Sequence, residues 1–159
     1  HQWLKLDHLH DLSKDSTLFP DFTTTIQSDL RTSLELALDD VVTSETADFR
    51  RLILADTLYL NGRLAKFYGA DLPADAEFQP VAFEPQSRAG VLSHPYLLAG
   101  FAYHGTSSPI HRGVWIARSL LGRSLRTPPI AVAPLPPDLH PDLTTRARVE
   151  TQTSPAVCM

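Results

Sequence analysis

Residues 23–42 carry the longest regular pattern in the chain and read TTTIQSDLRTSLELALDDVV. Apolar side chains recur there every three or four positions, at Ile26, Leu30, Leu34 and Leu38, with mostly polar residues between them. This spacing places the apolar side chains on one face of an α-helix, because a helix turns once in 3.6 residues. The stretch therefore predicts an amphipathic helix of about five turns, the longest element of the chain.

A second helical pattern follows this one. Asp48 is placed to cap the new helix at its N-terminus, and Gly69 is placed to end it. Residues 70–86 contain three prolines and several acids, which is typical of a loop. We expect one short extended piece in that loop, over Glu77–Phe83.

The C-terminal half predicts shorter helices. Arg88–Ala102 has apolar residues at helical spacing, with Pro95 either kinking that helix or lying in its first turn. The next helix begins at Pro109, a favoured residue for a first helical position, and ends at Gly122. We expect its N-terminus to be capped by one of the two serines before it, Ser107 or Ser108.

A proline-rich segment lies near the C-terminus. Residues 128–141 contain six of the thirteen prolines, which favours a stiff, extended spacer. Leu143–Thr153 predicts one last short helix, with Asp142 as its cap. The fold class expected from the whole pattern is mostly α, with small helical modules joined by a loop. We divide the chain into a helical module of residues 1–86 and a second one of residues 87–159, which contains the spacer.

Composition excludes several classes of protein. The chain has 159 residues, of which 43% are hydrophobic, a share typical of a globular protein. The net charge of -4 argues against a nucleic-acid-binding domain, since such domains are usually basic. There is no run of about 18 apolar residues, so the sequence predicts no membrane span.

The charges are unevenly distributed along the chain. Residues 1–84 contain fifteen acids and seven bases, and residues 85–159 contain three acids and seven bases. Eleven of the fourteen bases are arginine, which pairs with carboxylates through two hydrogen bonds. One interpretation is two surfaces of opposite sign that face each other. The alternative is an arginine patch for an anionic ligand, such as a carboxylate-bearing cofactor.

No catalytic or metal-binding motif is complete. His8 and His10 share one face only if they lie on a strand, and no further ligands are specified, so we expect no metal there. The serines at 107 and 108 lie near His104 and His111, but the second glycine and preceding strand of a nucleophile elbow are missing. Helix capping explains these serines more simply.

Gly113 and Trp115 are the remaining residues of interest in this region. A glycine inside a helix costs about 1 kcal/mol relative to alanine, which indicates close approach to the backbone at Gly113. We expect a neighbouring helix to make that approach, with a ligand as the alternative. Trp115 is expected in the core.

Several stretches resemble known domains. Residues 54–65 read LADTLYLNGRLA and, with the following Phe67–Gly69, resemble a motif of the domain of unknown function 1592. The segments RAGVL at 88–92, SSPIHRGVWI at 107–116 and LLG at 120–122, followed by the prolines, resemble its usual neighbour, the domain of unknown function 1588. Both domains occur in large multidomain c-type cytochrome-like proteins of planctomycetes and related bacteria.

The resemblance gives Cys158 a specific meaning. In those proteins a Cys-x-x-Cys-His motif follows, and Cys158 would be its first cysteine. Such a motif attaches haem through two thioether bonds and supplies an axial histidine. The resemblance therefore implies haem c in the full-length protein and no cofactor in this chain. The alternative is an incidental cysteine. Because the chain lacks an initiator methionine, we expect it to be a fragment of a longer protein, open at both ends.

The resemblance implies a non-catalytic role. The expected function is a helical module of a secreted cytochrome-like protein that positions an adjacent haem segment for electron transfer or partner docking. Its partners would be other domains of the same polypeptide, and its location would be extracytoplasmic. One alternative is part of an extracytoplasmic oxidoreductase or degradative enzyme whose active site lies partly elsewhere. The other alternative is an interaction scaffold without a cofactor.

Overall fold

The computed structural model describes residues 3–9, 12–46, 48–84, 86–126 and 142–154. The chain divides into two compact units. The central unit consists of Asp11–Gly100, and the split unit consists of His1–His10 together with Phe101–Met159. The expected domain division at residues 86–87 stays a prediction.

Helix α1, Thr24–Thr43, is the longest helix of the described residues, as the apolar spacing predicted. Thr23 caps its N-terminus, because the Thr23 side-chain oxygen accepts a hydrogen bond from the Ile26 backbone N–H at 3.3 Å. Leu30 and Leu34 on its apolar face are almost fully buried.

The expected single helix between Asp48 and Gly69 is wrong. The chain instead forms a one-turn helix α2 at Arg51–Leu54, strand β1 at Thr57–Leu60 and helix α3 at Gly62–Tyr68. Strand β1 pairs antiparallel with strand β2, Gln79–Ala82, with Leu58 opposite Val81. Pairing across the sheet overrides the local helical spacing, because every second residue of β1 is then buried.

Two features of this region were predicted from the sequence. Strand β2 lies inside the extended piece expected over Glu77–Phe83, which confirms that piece. Helix α3 ends at Gly69, whose φ of 68° is the left-handed conformation that favours glycine at a helix C-terminus.

Helix α1 packs against β1, α3 and helix α4, Pro95–Gly100. A 3-10 turn at Gly90–Ser93 precedes α4, so the expected helix over 88–102 is broken in two. Pro95 lies in the first turn of α4, one of the two positions expected for it. The core of the central unit is rich in buried leucines: Leu30, Leu34, Leu58, Leu60, Leu64 and Leu97.

The split unit contains a 3-10 turn at Leu6–Leu9 and helix α5 at Pro109–Trp115, which continues as a π-helical turn at Ile116–Leu120. A hydrogen bond joins the two chain segments of this unit, because the Trp3 indole Nε1–H donates to the Ser119 carbonyl oxygen at 2.5 Å. Gly122 follows the π turn with a φ of 61°, as expected for a helix stop.

Of the capping residues predicted for the two helices in this unit, one is confirmed and one is wrong. Ser108 caps α5, since its hydroxyl oxygen accepts from the His111 N–H at 3.3 Å, which confirms one of the two predicted serines. The last helix, α6, spans Thr145–Thr153 and is capped by the Thr144 side chain, so the expected cap at Asp142 is wrong. The proline-rich spacer at 128–141 lies outside the described residues.

About 48% of the structure is helical, with six α-helices and one small two-stranded sheet in the described part of the chain, so the expected mostly α class is confirmed only in part. In that same part, no helix combines the length and the apolar character needed to cross a membrane.

Candidate functional site

Most of the buried polar and ion-paired side chains of the central unit lie on helix α1 or next to it. Ser33 lies on the buried face of α1, and its hydroxyl is 3.4 Å from the Nε2 atom of His94. Both residues are almost completely buried, with exposed fractions of 1% and 2%. In nucleophilic catalysis a serine lies beside a histidine that accepts its proton. The direction of the hydrogen bond between Ser33 and His94 therefore decides whether this pair can act in that way.

The hydrogen bonds of His94 assign its tautomer. His94 precedes Pro95, and its Nδ1 atom accepts a hydrogen bond from the Tyr96 backbone N–H at 3.3 Å. Since Nδ1 accepts, the ring proton is on Nε2, and Nε2–H donates to the Ser33 hydroxyl oxygen. A base that activates a serine must accept the serine proton, and this ring nitrogen cannot. The pair therefore links α1 to the start of α4 and does not form a nucleophile with its base.

Burial reinforces this assignment. Desolvation, with a smaller contribution from the charge of Arg88, lowers the pKa of His94 to about 3. The ring is therefore neutral at neutral pH. Such a low pKa makes His94 a weak base, far from the value near operating pH that general-base catalysis requires.

A small cavity adjoins His94 between α1, α2 and β1. Its volume is about 30 Å³, and its polar lining includes the ion pair between Arg51 and Asp40, whose Nη2 and Oδ2 atoms are 2.6 Å apart. Tyr59 also lines it. A space of this size holds about one water molecule, whereas small-molecule sites usually measure several hundred Å³. The cavity therefore does not accommodate an organic substrate.

A second polar cluster joins α1 to α3. The Arg63 guanidinium donates two hydrogen bonds to Asp29, from Nε to Oδ2 and from Nη2 to Oδ1, each 2.7 Å long. The Asn61 side chain also hydrogen-bonds to this carboxylate, while its Oδ1 accepts from the Leu64 N–H at 2.9 Å and caps α3. Hydrogen bonding to Arg63, more than the opposing effect of burial, lowers the pKa of Asp29, which therefore stays ionised at neutral pH.

Arg88 ties the loop after β2 to α3. Its guanidinium carbon is 4.7 Å from the centroid of the Phe83 ring and 5.4 Å from that of Tyr68. Its Nη1 atom also donates to the Ser93 carbonyl oxygen at 3.3 Å. Burial raises the pKa of Tyr68 to about 12, so that this hydroxyl remains protonated. Each group is thus held by cation–π and packing contacts within the unit.

In the split unit, two of the residues singled out from the sequence, Trp115 and His111, make aromatic ring contacts. Trp115 is buried as expected and stacks on Phe101, with ring centroids 5.0 Å apart. Its Nε1–H is buried and has no acceptor among the described residues. The His111 ring lies 4.9 Å from that of Tyr103. Nothing lies within 4 Å of the position a Cβ would take at Gly113, so the close approach expected there is not seen in the described structure.

The site residue proposed from the sequence, Cys158, lies outside the described residues, as does His10 of the histidine pair for which no metal was expected. Within the described ranges no three His, Cys, Asp or Glu side chains lie close enough together to hold a metal ion. The roles of Ser33, His94 and Asp29 were missed, although polar residues among the apolar positions of α1 are the signal that could have found two of them.

Two family models match consecutive parts of the chain. Residues 1–70 match PSD4, a protein of unknown function (DUF1592), and residues 88–159 match PSCyt3, a protein of unknown function (DUF1588). No curated protein and no solved structure matches the chain. The two matched segments follow one another along the chain, and each is similar to a family whose function is unknown.

Proposed function

We propose that this pair of adjacent domains is a non-catalytic helical module of a secreted multidomain c-type cytochrome-like protein. Its role would be to position a neighbouring haem segment for electron transfer or for docking of a partner. The location would be extracytoplasmic, because c-type haem is attached there, and its partners would be other domains of the same polypeptide. The matches to two adjacent families and the resemblance of the sequence motifs support this context.

The use of the buried polar side chains supports the non-catalytic part of the proposal. Apart from the indole N–H of Trp115, each of the buried polar side chains among the described residues makes a hydrogen bond that caps a helix or links two elements. The set comprises Asp29, Ser33, Asn61, His94 and Ser108. Satisfied buried networks rigidify a fold, which suits a module that holds a neighbour in a fixed position.

The enzyme alternative would need a reactive group free to act. The best-placed candidate is the pair of Ser33 and His94, and the direction of its hydrogen bond prevents His94 from taking the serine proton. We therefore favour the positioning role over catalysis within this chain.

The chain's own residues fit a haem only in part. A c-type haem is attached through two cysteine thiols and takes a histidine as axial ligand. The sequence contains a single cysteine, Cys158, which can form one thioether bond. We therefore assign no haem-dependent step to this chain, and the haem in the proposal belongs to a segment that Cys158 would open.

The proposal is tested on a longer polypeptide that continues past Met159, so that Cys158 is the first cysteine of a complete Cys-x-x-Cys-His sequence. It is exported in a bacterial host that matures c-type cytochromes. We expect a haem-stained band on a denaturing gel and a reduced-minus-oxidised spectrum typical of haem c. The variant Cys158→Ser of the same polypeptide is the matched control and should lose at least most of the staining. A colourless polypeptide, in a host that matures a known cytochrome, would refute the cytochrome context.

A further inference from the structure

Two stretches of this chain have opposite charge, and each contains charged residues of only one sign. The basic stretch, residues 101–126, contains four arginines and no lysine, aspartate or glutamate. The acidic loop, residues 70–86, contains four acids and no lysine or arginine. The basic stretch belongs to the split unit and the acidic loop to the central unit.

The side chains of the acidic loop are available to a partner. Its acids are exposed, and none forms a direct ion pair with a described base, although the charge of Arg63 acts on Glu77: Asp71, Asp75, Glu77 and Glu84. The loop backbone is held in place, because the Ala76 carbonyl accepts from the Gly62 N–H at 3.0 Å and Gln79–Ala82 pairs with β1. A loop that is already ordered loses little conformational entropy on binding.

The basic stretch has the composition of a protein interface. Arginine and aromatic residues are enriched in interface cores, while lysine and acidic residues are depleted. Within the split unit none of its arginines has a carboxylate partner among the described residues: Arg112, Arg118, Arg123 and Arg126. Ile110 and Leu121 in the same stretch are exposed over 52% and 63% of their surfaces and would gain burial in a complex.

We propose that two copies of this chain pair reciprocally, with the acidic loop of each copy docked on the basic stretch of the other. A second copy is the occupant favoured by the charges, because each copy presents both complementary surfaces and no ion pair joins them within one chain among the described residues. A reciprocal arrangement with two-fold symmetry forms the contact twice and closes the assembly as a dimer. Four arginines that meet four carboxylates also give such a dimer a strong dependence on ionic strength.

The first test measures the mass of the 159-residue chain in solution by sedimentation equilibrium. Samples from about 1 to about 100 µM are compared at low salt, about 50 mM, and at about 500 mM salt. We expect a dimer at low salt, with a dissociation constant that rises about tenfold or more at high salt. A chain that is monomeric at low salt over this whole range overturns the proposal, including the case in which it binds anionic vesicles instead.

The second test reverses charges on each surface in turn. Arg118→Glu/Arg123→Glu and Asp75→Arg/Glu84→Arg should each be monomeric alone, and an equimolar mixture of the two should form a dimer. Arg146→Glu in α6 is the matched control, since Arg146 is an exposed arginine of the same unit outside the basic stretch, and it should dimerise like the parent. Far-UV circular dichroism checks that each variant is folded. A dimer that survives both reversals, or folded variants that fail to pair when mixed, would show that these charges do not form the contact.

Discussion

His94 shows how a single buried side chain can join two helices. Its two ring nitrogens have opposite roles, one accepting from the Tyr96 N–H and the other donating to the Ser33 hydroxyl. Only the neutral ring can do both, because a protonated ring has no acceptor. The link between α1 and α4 therefore depends on His94 staying unprotonated.

The first prediction concerns the pH dependence of stability. The pKa of His94 is about 3 in the folded protein, against 6.5 for an ordinary histidine. Below pH 6.5 the unfolded chain therefore binds a proton that the folded chain excludes, so the free energy of unfolding falls as the pH falls. We expect a loss of about 2 kcal/mol between about pH 7.5 and about pH 5, measured by urea unfolding.

The variant His94→Gln provides the comparison for this prediction. Glutamine can still donate to the Ser33 hydroxyl, but it does not titrate. We expect it to be less stable than the parent at neutral pH and to lose much less stability on acidification. An equally steep pH dependence in the variant would mean that another group causes it.

The second prediction uses the indole N–H of Trp115, which has no acceptor among the described residues. A buried N–H without an acceptor costs about 1–3 kcal/mol, so its removal offsets part of the packing that a smaller ring loses. Trp115→Phe should therefore change the free energy of unfolding by about 1 kcal/mol or less, while Trp115→Ala should cost about 3–5 kcal/mol. Urea unfolding followed by far-UV circular dichroism measures both. A phenylalanine variant as unstable as the alanine variant would indicate an acceptor for the N–H.

At the scale of elements, the start of α3 depends on a glycine as much as on its cap. A Cβ at Gly62 would collide with the backbone carbonyl oxygens of Pro73 and Ala74, which pass directly over the helix start. These carbonyls cannot move without displacing the loop that leads to β2. Gly113 in α5 is different, because a Cβ there would meet nothing within 4 Å.

These two glycines form a matched pair for the third prediction. Gly62→Ala should destabilise the chain by about 1–3 kcal/mol through the forced backbone shift. Gly113→Ala should stabilise it by about 0.5–1 kcal/mol, because alanine is the better helix former. Thermal unfolding of both variants in parallel measures the difference. The same sign of effect at both positions would contradict the close approach at Gly62.

The elements also show what local sequence could and could not predict. The spacing of leucines in α1, the glycine at position 69 and the serine cap of α5 are signals within one element, and each was predicted correctly. Strand β1 was assigned to a helix because Leu58 and Leu60 also fit a helical face. The segment forms a strand because it pairs with β2, about twenty residues later in the sequence. The hydrophobic spacing within a short stretch carries no information about such a distant partner.

For the molecule as a whole, the sequence motifs predicted the similarity of two adjacent segments to families of unknown function but not the buried polar contacts. Asp29 and Arg63 are 34 residues apart, and Ser33 and His94 are 61 apart, so only the fold brings them together. The sequence-based site residue, Cys158, lies outside the described residues, and its role stays a prediction.

The fourth prediction concerns the two compact units. Leu64 is fully buried in the central unit, so Leu64→Ala should destabilise that unit by about 2–5 kcal/mol. Both tryptophans, Trp3 and Trp115, belong to the split unit. We therefore expect the urea midpoint to fall more when followed by far-UV circular dichroism, which is sensitive to α1, than when followed by tryptophan fluorescence. Equal shifts of the two midpoints would mean that the chain unfolds as one cooperative body.

The bond from the Trp3 indole to the Ser119 carbonyl has a consequence for biosynthesis. Its two residues are 116 positions apart, and the whole central unit is made between them. At translation rates of about 5–20 residues per second, the N-terminal segment waits roughly 6–25 s before Ser119 has been synthesised. The central unit can fold on the ribosome during that interval, while residues 3–9 expose the apolar side chains of Leu4, Leu6 and Leu9. Leu4, Leu6 and Leu9, which are buried in the finished chain, can therefore complete their packing within the split unit only after its second segment has been made.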